Sequence, residues 1–149
     1  MTAITHPYQP RHHAPDKPAF VICETGETVT FGELETRANQ GAHLLRACGI
    51  GTGDHIAILM ENRREFLEIC FAADRAGVYY TTISTHLTAP EIAYILRDCG
   101  ARMLVTSDLH TEIIPSLGAL NGCTVHVVGP DTGGFPSWQH VTRSLPATP

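Results

Sequence analysis

No stretch of this 149-residue chain is rich in lysine and arginine: 10 basic residues stand against 15 acidic ones, for a formal charge of −5. A nucleic-acid binder normally shows a basic stripe, so that class of partner is excluded. No apolar run approaches the roughly 18 residues of a membrane span. The opening "MTAITHPYQPRHH" lacks the apolar region of a signal peptide, and a cytoplasmic protein without a transmembrane segment is expected. No cysteines form a C-x-x-C pair. Cys23, Cys48, Cys70, Cys99 and Cys123 are odd in number and widely spaced, which fits reduced thiols and predicts core filling better than a disulfide framework.

Several catalytic signatures are missing as well. There is no G-x-x-x-x-G-K-[ST], no G-x-S-x-G and no H-E-x-x-H. "GIGTGD" (49–54) is glycine-rich, but a phosphate-binding loop must follow a strand and open a helix. Here the glycines end a predicted helix and precede a predicted strand, so they read as a helix cap and a tight turn. Gly133-Gly134 is followed by Phe135 and Pro136, with no lysine or hydroxyl for a phosphate. The adjacent His12 and His13 would not share one face of a helix, so they make a poor metal site. Arg63-Arg64 reads as a solvated helix start.

What remains is an ordinary globular composition: 43% hydrophobic and 17% charged residues. A chain of this length buries roughly two-thirds of the surface it exposes unfolded. Residues 1–18 hold Pro7, Pro10, Pro15 and Pro18 and read as an extended arm. Residues 19–128 read as an α/β unit, and 129–149 as a Gly/Pro-rich tail with a turn around Trp138. Within the unit, short strands are predicted at 19–23 and 28–30. A helix over 30–49 starts from a Thr30/Glu33 capping box, carries the stripe Leu34, Ala38, Ala42, Leu45, gains a Glu33–Arg37 pair and ends at Gly49. "DHIAILM" (54–60) has the continuous apolar run of a strand buried on both faces. A deep helix follows, started by Asn62 and ended by Gly77, then the strand "VYYTTI" (78–83).

Thr88 and Glu91 open the next helix, Ile92, Ile95 and Leu96 form its stripe, and Gly100 ends it. Strands at 102–107 and 124–128 flank a helix at 108–119 weakened by Pro115. Strands alternating with helices imply βαβ units: an α/β fold with a three-layer, mostly parallel sheet and flanking helices. Two helices share T-x-x-E starts and R-x-C-G ends, but their lengths differ, so this is shared capping rather than a repeat. In such sheets ligands bind beyond the carboxyl ends of the strands. The loop "STHLT" (84–88) lies there, which makes Thr85 and His86 the candidate substrate-binding residues.

Four stretches resemble the N-terminal part of adenylate-forming acyl-CoA synthetases, the AMP-binding superfamily. "TVTFGELETRANQGAHLLRACGIGTGDHIAILMENRREFLE" resembles the family's opening block, and "FAADRAGVYYTTISTHLTAPEIAYIL" the block after it. "GARMLVTS" resembles the strand beyond, and "LPATP" the segment shortly before the phosphate loop. The second block is closer to fatty-acyl-CoA ligases than to peptide-synthetase adenylation domains, which usually carry a Pro and an acidic residue after this strand. The resemblance implies part of the large N-terminal domain of those enzymes. It also implies activation of a carboxylic acid by ATP and magnesium to acyl-AMP, with transfer to CoA. The family's Ser/Thr/Gly-rich loop ending in Lys, its magnesium-binding glutamate, its ribose-binding aspartate and its catalytic lysine match no position here. No catalytic, cofactor-binding or metal residue is therefore carried over. The expectation is an N-terminal fragment ending at Pro149 shortly before that loop, inactive alone and binding no cofactor tightly. The rival expectation is a non-catalytic α/β module that pairs with another chain, the rest of a ligase or itself, through an uncovered sheet edge.

Overall fold

The central strands of the protein are apolar on both faces, and the fold follows from covering them. In the computed structural model, which describes residues 14–149, a short antiparallel pair β1 (Pro18–Val21) and β2 (Thr28–Thr30) precedes α1 (Phe31–Ala47). There follow β3 (His55–Leu59), α2 (Arg64–Ala76), β4 (Tyr79–Ile83), α3 (Ala89–Asp98) and β5 (Met103–Ser107). A 3-10 helix (Asp108–Leu117), β6 (Thr124–Val128) and α4 (Trp138–Thr142) complete the described chain. The main sheet has four parallel strands in the order β4-β3-β5-β6.

Alternation along each strand sorts the core into two halves. Ile56, Ile58, Met103, Val105 and Val128 face α1, α2 and Trp138 of α4. Ala57, Leu59, Leu104, Val125 and Val127 face α3 and the 3-10 helix. The result is the three-layer α/β arrangement expected from the sequence. Of the arm assigned to residues 1–18, the part through residue 13, with His12 and His13, lies outside the described residues.

Local chemistry sets the helix ends. Glu33 Oε2 accepts from the Thr30 N–H at 2.9 Å while Thr30 Oγ1 accepts from the Glu33 N–H at 3.2 Å. Glu91 Oε2 accepts from the Thr88 N–H at 2.8 Å in the same way. At the other ends, the N–H of Ile50 reaches Leu45 O, that of Val78 reaches Ala73 O and that of Ala101 reaches Leu96 O. Each is the long bond of a Schellman closure around Gly49, Gly77 or Gly100, all at positive φ. The apolar residue that follows each glycine is buried, so every closure also delivers the chain back to the sheet.

Several expectations are corrected. Arg63, not Asn62, holds the N-cap position of α2, in an extended conformation (φ −147°) and with no side-chain cap bond. Arg37 donates to Gln40 Oε1 at 3.2 Å instead of pairing with Glu33, whose carboxylate is taken by Thr30. Residues 108–117 form a 3-10 helix rather than an α-helix; Pro115 has no N–H to give to an α-helical ladder. Of the five cysteines only Cys70 is buried; Cys23 and Cys48 are exposed and Cys99 and Cys123 half-buried.

α1 and α2 approach closely at Gly41. A Cβ there would lie 2.6 Å from Ala72 Cβ and 3.0 Å from Trp138 Cζ2. Gly41→Ala gains up to about 1 kcal/mol of helix propensity but meets an overpacking cost of about 1–3 kcal/mol. A net loss of up to about 2 kcal/mol is predicted, read as a lower urea midpoint with unchanged slope.

His126 of β6 is buried with its Nδ1 unpartnered among the described residues, its ring edge-on to Trp138 at a centroid distance of 6.4 Å. Burial holds its pKa below the ordinary value of 6.5. The neutral ring's contribution to stability is complete above 6.5 and is lost as pH falls below that through the folded-state pKa. Unfolding free energy should therefore drop between pH 7.5 and pH 5, and His126→Phe should flatten part of that slope. An unchanged slope would refute the assignment.

Candidate functional site

The chain passes from β3 outward to β4 and then returns past β3 to β5. The strand order reverses between β3 and β5, and the crevice beyond their carboxyl ends is where open α/β sheets bind ligands. Arg63 stands there. Its Nη1 donates to Glu61 Oε1 at 3.1 Å and to Asp108 Oδ1 at 3.2 Å, and its Nε to Glu65 Oε2 at 3.0 Å. Ser107 Oγ donates to Glu61 Oε2 at 2.6 Å, and His110 Nε2 lies 3.5 Å from the same oxygen. Gln139 ties in α4: its Nε2 donates to Glu65 Oε1 at 3.2 Å and its Oε1 accepts from the Gly129 N–H at 3.2 Å. Gly129 is needed in turn, because a Cβ there would fall 2.2 Å from the Asp108 carboxyl carbon.

Burial opposes the charge on Arg63, but Glu65, Glu61 and Asp108 outweigh it and hold the guanidinium above its ordinary pKa. Burial likewise works against the Glu61 charge, yet the Ser107 hydroxyl, its own backbone N–H and Arg63 keep its carboxyl below the usual range. Next to this network Arg64 Nε donates to Glu68 Oε1 at 3.0 Å and Arg64 Nη1 to Glu27 Oε1 at 2.6 Å. Burial raises the pKa of Glu68 in spite of Arg64. Arg63 and Arg64 are thus ion-paired anchors, not the solvated helix start expected from the sequence.

One guanidinium meets three carboxylates, so a phosphate approaching Arg63 would find net negative charge. A cation fits no better: among the described residues no group of three His, Cys, Asp or Glu is placed to hold a metal. Ser107 is fully buried and spends its proton on Glu61. Burial pushes the thiols of Cys70 and Cys123 up to about 11, which leaves them protonated and inert near neutral pH.

The loop after β4 lies beside the crevice but outside the network. The His86 N–H donates to Ser84 Oγ and the Leu87 N–H to Ser84 O, each at 3.3 Å, in a turn that leads into the cap of α3. Thr85 is half-buried and His86 exposed. The "GIGTGD" turn has the structural role expected: Gly51 N–H donates to Asp54 Oδ2 at 2.8 Å, and Arg102 braces both Asp54 and the Gly49 carbonyl. A groove of about 520 Å³ lies at the opposite, amino ends of β5 and β6, between Leu96, Ala101, Leu117 and Leu120.

Residues 8–144 match the family profile described as AMP-binding enzyme. The chain belongs to that family. It is 33% identical over 127 residues to the fatty acid–[acyl-carrier-protein] ligase ScoC of Streptomyces coeruleorubidus, covering 85% of this chain and 24% of that protein. It is 32% identical to the long-chain-fatty-acid–CoA ligase FadD13 of Mycobacterium tuberculosis, covering 71% of this chain and 21% of that one. Among solved structures, a benzoate CoA ligase from Burkholderia xenovorans LB400 superposes with a TM-score of 0.83 at 26% identity, over 95% of this chain and 28% of that one. The anthranilate CoA ligase AuaEII, in complex with anthranoyl-AMP, gives 0.82 at 28% identity, over 91% and 25%. The fold is thus that of the N-terminal domain of adenylate-forming enzymes. The chain spans about a quarter of the length of these relatives.

Sequence reasoning found the capping boxes of α1 and α3 and missed the network. Glu61 and Ser107 each fall at the carboxyl end of a predicted strand beside the strand-order reversal, and that position was the available signal.

Removing Arg63 leaves three half-buried carboxylates facing one another. Arg63→Met should cost about 1–3 kcal/mol at pH 7.5, the magnitude for stranded buried polar groups with part of the site still wetted. The loss should shrink at pH 4.5, where the carboxylates can protonate. Urea titration at both pH values checks it; an equal loss at each would show that packing alone is affected.

Proposed function

We propose that this chain forms the opening α/β layer of an AMP-forming acid–CoA ligase, of fatty-acyl type. In that reaction a carboxylate attacks the α-phosphate of ATP, releasing pyrophosphate and forming acyl-AMP; the CoA thiol then displaces AMP. In this reading the layer is framework, and the groups that handle ATP, magnesium and CoA come from sequence that these 149 residues do not contain. The observation that carries it is the conjunction of an ordered family match over residues 8–144 with a crevice in which Arg63 is ion-paired to three carboxylates of this chain. The names of ScoC and FadD13 support a fatty acid as the substrate class.

A second reading, a non-catalytic module that pairs through a sheet edge, is favoured by β4. Tyr79 and Tyr80 on that edge strand are 64% and 38% exposed, and an uncovered edge invites another strand.

The purified 149-residue chain should show no acid-dependent ATP–pyrophosphate exchange with acetate, octanoate or palmitate while giving a cooperative thermal unfolding transition. Exchange above the enzyme-free rate would overturn the framework reading. Sedimentation velocity separates the two readings: a monomer at tens of micromolar fits the first, and concentration-dependent dimers lost in Tyr79→Lys fit the second.

A further inference from the structure

One row of polar side chains on α1 reaches the main chain of a distant segment, besides the local bonds of Asn39 to Glu35 Oε1 at 3.4 Å and of Arg37 to Gln40 Oε1. Asn39 Nδ2 donates to the carbonyl of Ala147 at 2.7 Å, and Gln40 Nε2 to that of Leu145 at 3.2 Å. His43 Nε2 meets the carbonyl of Thr148 at 2.8 Å. A carbonyl only accepts, so the ring carries its proton on Nε2 in this contact. Asn39 and Gln40 are 2% and 7% exposed. Buried amides are costly unless bonded, and an apolar residue would cover the same surface of α1 more cheaply if covering were the only task.

The accepting segment, "LPATP", suits carbonyl recognition. Pro146 and Pro149 have no N–H, which leaves carbonyls as the dependable main-chain handles at those points. Leu145 and Thr148 each precede a proline, which disfavours helical backbone and biases them toward extended conformations. Two of the three accepting carbonyls are therefore held with little conformational freedom left to lose. Leu145 also packs against the core beneath α1 and α2. The Oδ1 of Asn39 is buried without a partner among the described residues, so the bonds seen to compensate this amide's burial come from its Nδ2.

We infer that Asn39, Gln40 and His43 form a latch: positioning residues that hold segment 145–148 along α1 by its carbonyls and so fix the direction in which the chain leaves the domain. The recognition is of backbone, and it specifies the prolines and the three α1 side chains rather than Ala147 or Thr148 as such. It stands independently of the ligase reading, since a rigid tail and an absent exchange activity are separate results.

Amide ¹⁵N relaxation on the 149-residue chain tests it. Ala147 and Thr148 should show order parameters near those of the helices, about 0.85, and Asn39→Leu should drop them below about 0.6. Tryptic release of 144–149, by cleavage after Arg143, should become about 2–10-fold faster, the change expected for one lost hydrogen bond in a local opening equilibrium. Because Asn39 is buried, His43→Ala at a half-buried position is the second variant: it should loosen Thr148 with the melting temperature of the chain little changed. In a chain shortened to end at Ser144, Asn39→Leu should cost less than in the full chain. The latch is overturned if the tail is as mobile in the parent as in the variants, or if Asn39→Leu costs the same at both lengths.

Discussion

β3 and β5 lie at the centre of a parallel sheet with no face open to water, and the rest of the molecule is arranged to keep them dry. Residues 56–59 and 103–107 are essentially inaccessible. Each of their backbone groups must find a partner in a neighbouring strand, and each side chain must find a helix above or below. Parallel neighbours cannot be joined by a tight turn, so every connection is a crossover carrying a covering element. That single requirement places α1 and α2 on one face and α3 with the 3-10 helix on the other. It also brings the ends of four strands together in one crevice.

The crossovers succeed because helix endings and strand beginnings are the same local event. Ile50, Val78 and Ala101 each close a Schellman motif and each sink into the core, so the glycine before them turns the chain and the apolar residue after them aims it. Such chemistry lies within six residues and could be read directly: the T-x-x-E starts of α1 and α3, the glycine ends and the apolar run of β3 all appear where the pattern put them. Arg63 shows where that reading stops. Asn62 is the better cap by local preference, but Arg63 has Asp108, 45 residues away, as a partner, and the extended backbone that reaches it displaces the cap by one residue. Ser107 is lost to local reasoning in the same way. It occupies a cap position, yet its hydroxyl is used by Glu61, just beyond the end of β3. Thr85 and His86 were chosen from strand position alone, which locates the crevice but does not say which side chains meet in it.

Placing three carboxylates on one arginine at a strand-order reversal looks at first like an active centre, since perturbed titrations cluster at such sites. The bonding gives the network a structural role: Arg63, Ser107 and Gln139 each hold a partner within 3.2 Å, and mutually neutralising groups that link the ends of β3, β5 and β6 to α2 and α4 stiffen the floor of the crevice.

Polar burial of this kind constrains geometry more than it adds stability. The same economy governs α1, where Asn39 and Gln40 give up solvent for two carbonyls of a proline-stiffened segment instead of being replaced by apolar contacts. In both places the chain accepts a desolvation cost to define where a backbone runs: the start of α2 across the sheet in one, and the exit along α1 in the other. Each is a positional device: buried polar groups cost desolvation, and what they return is a single course for the backbone relative to the sheet.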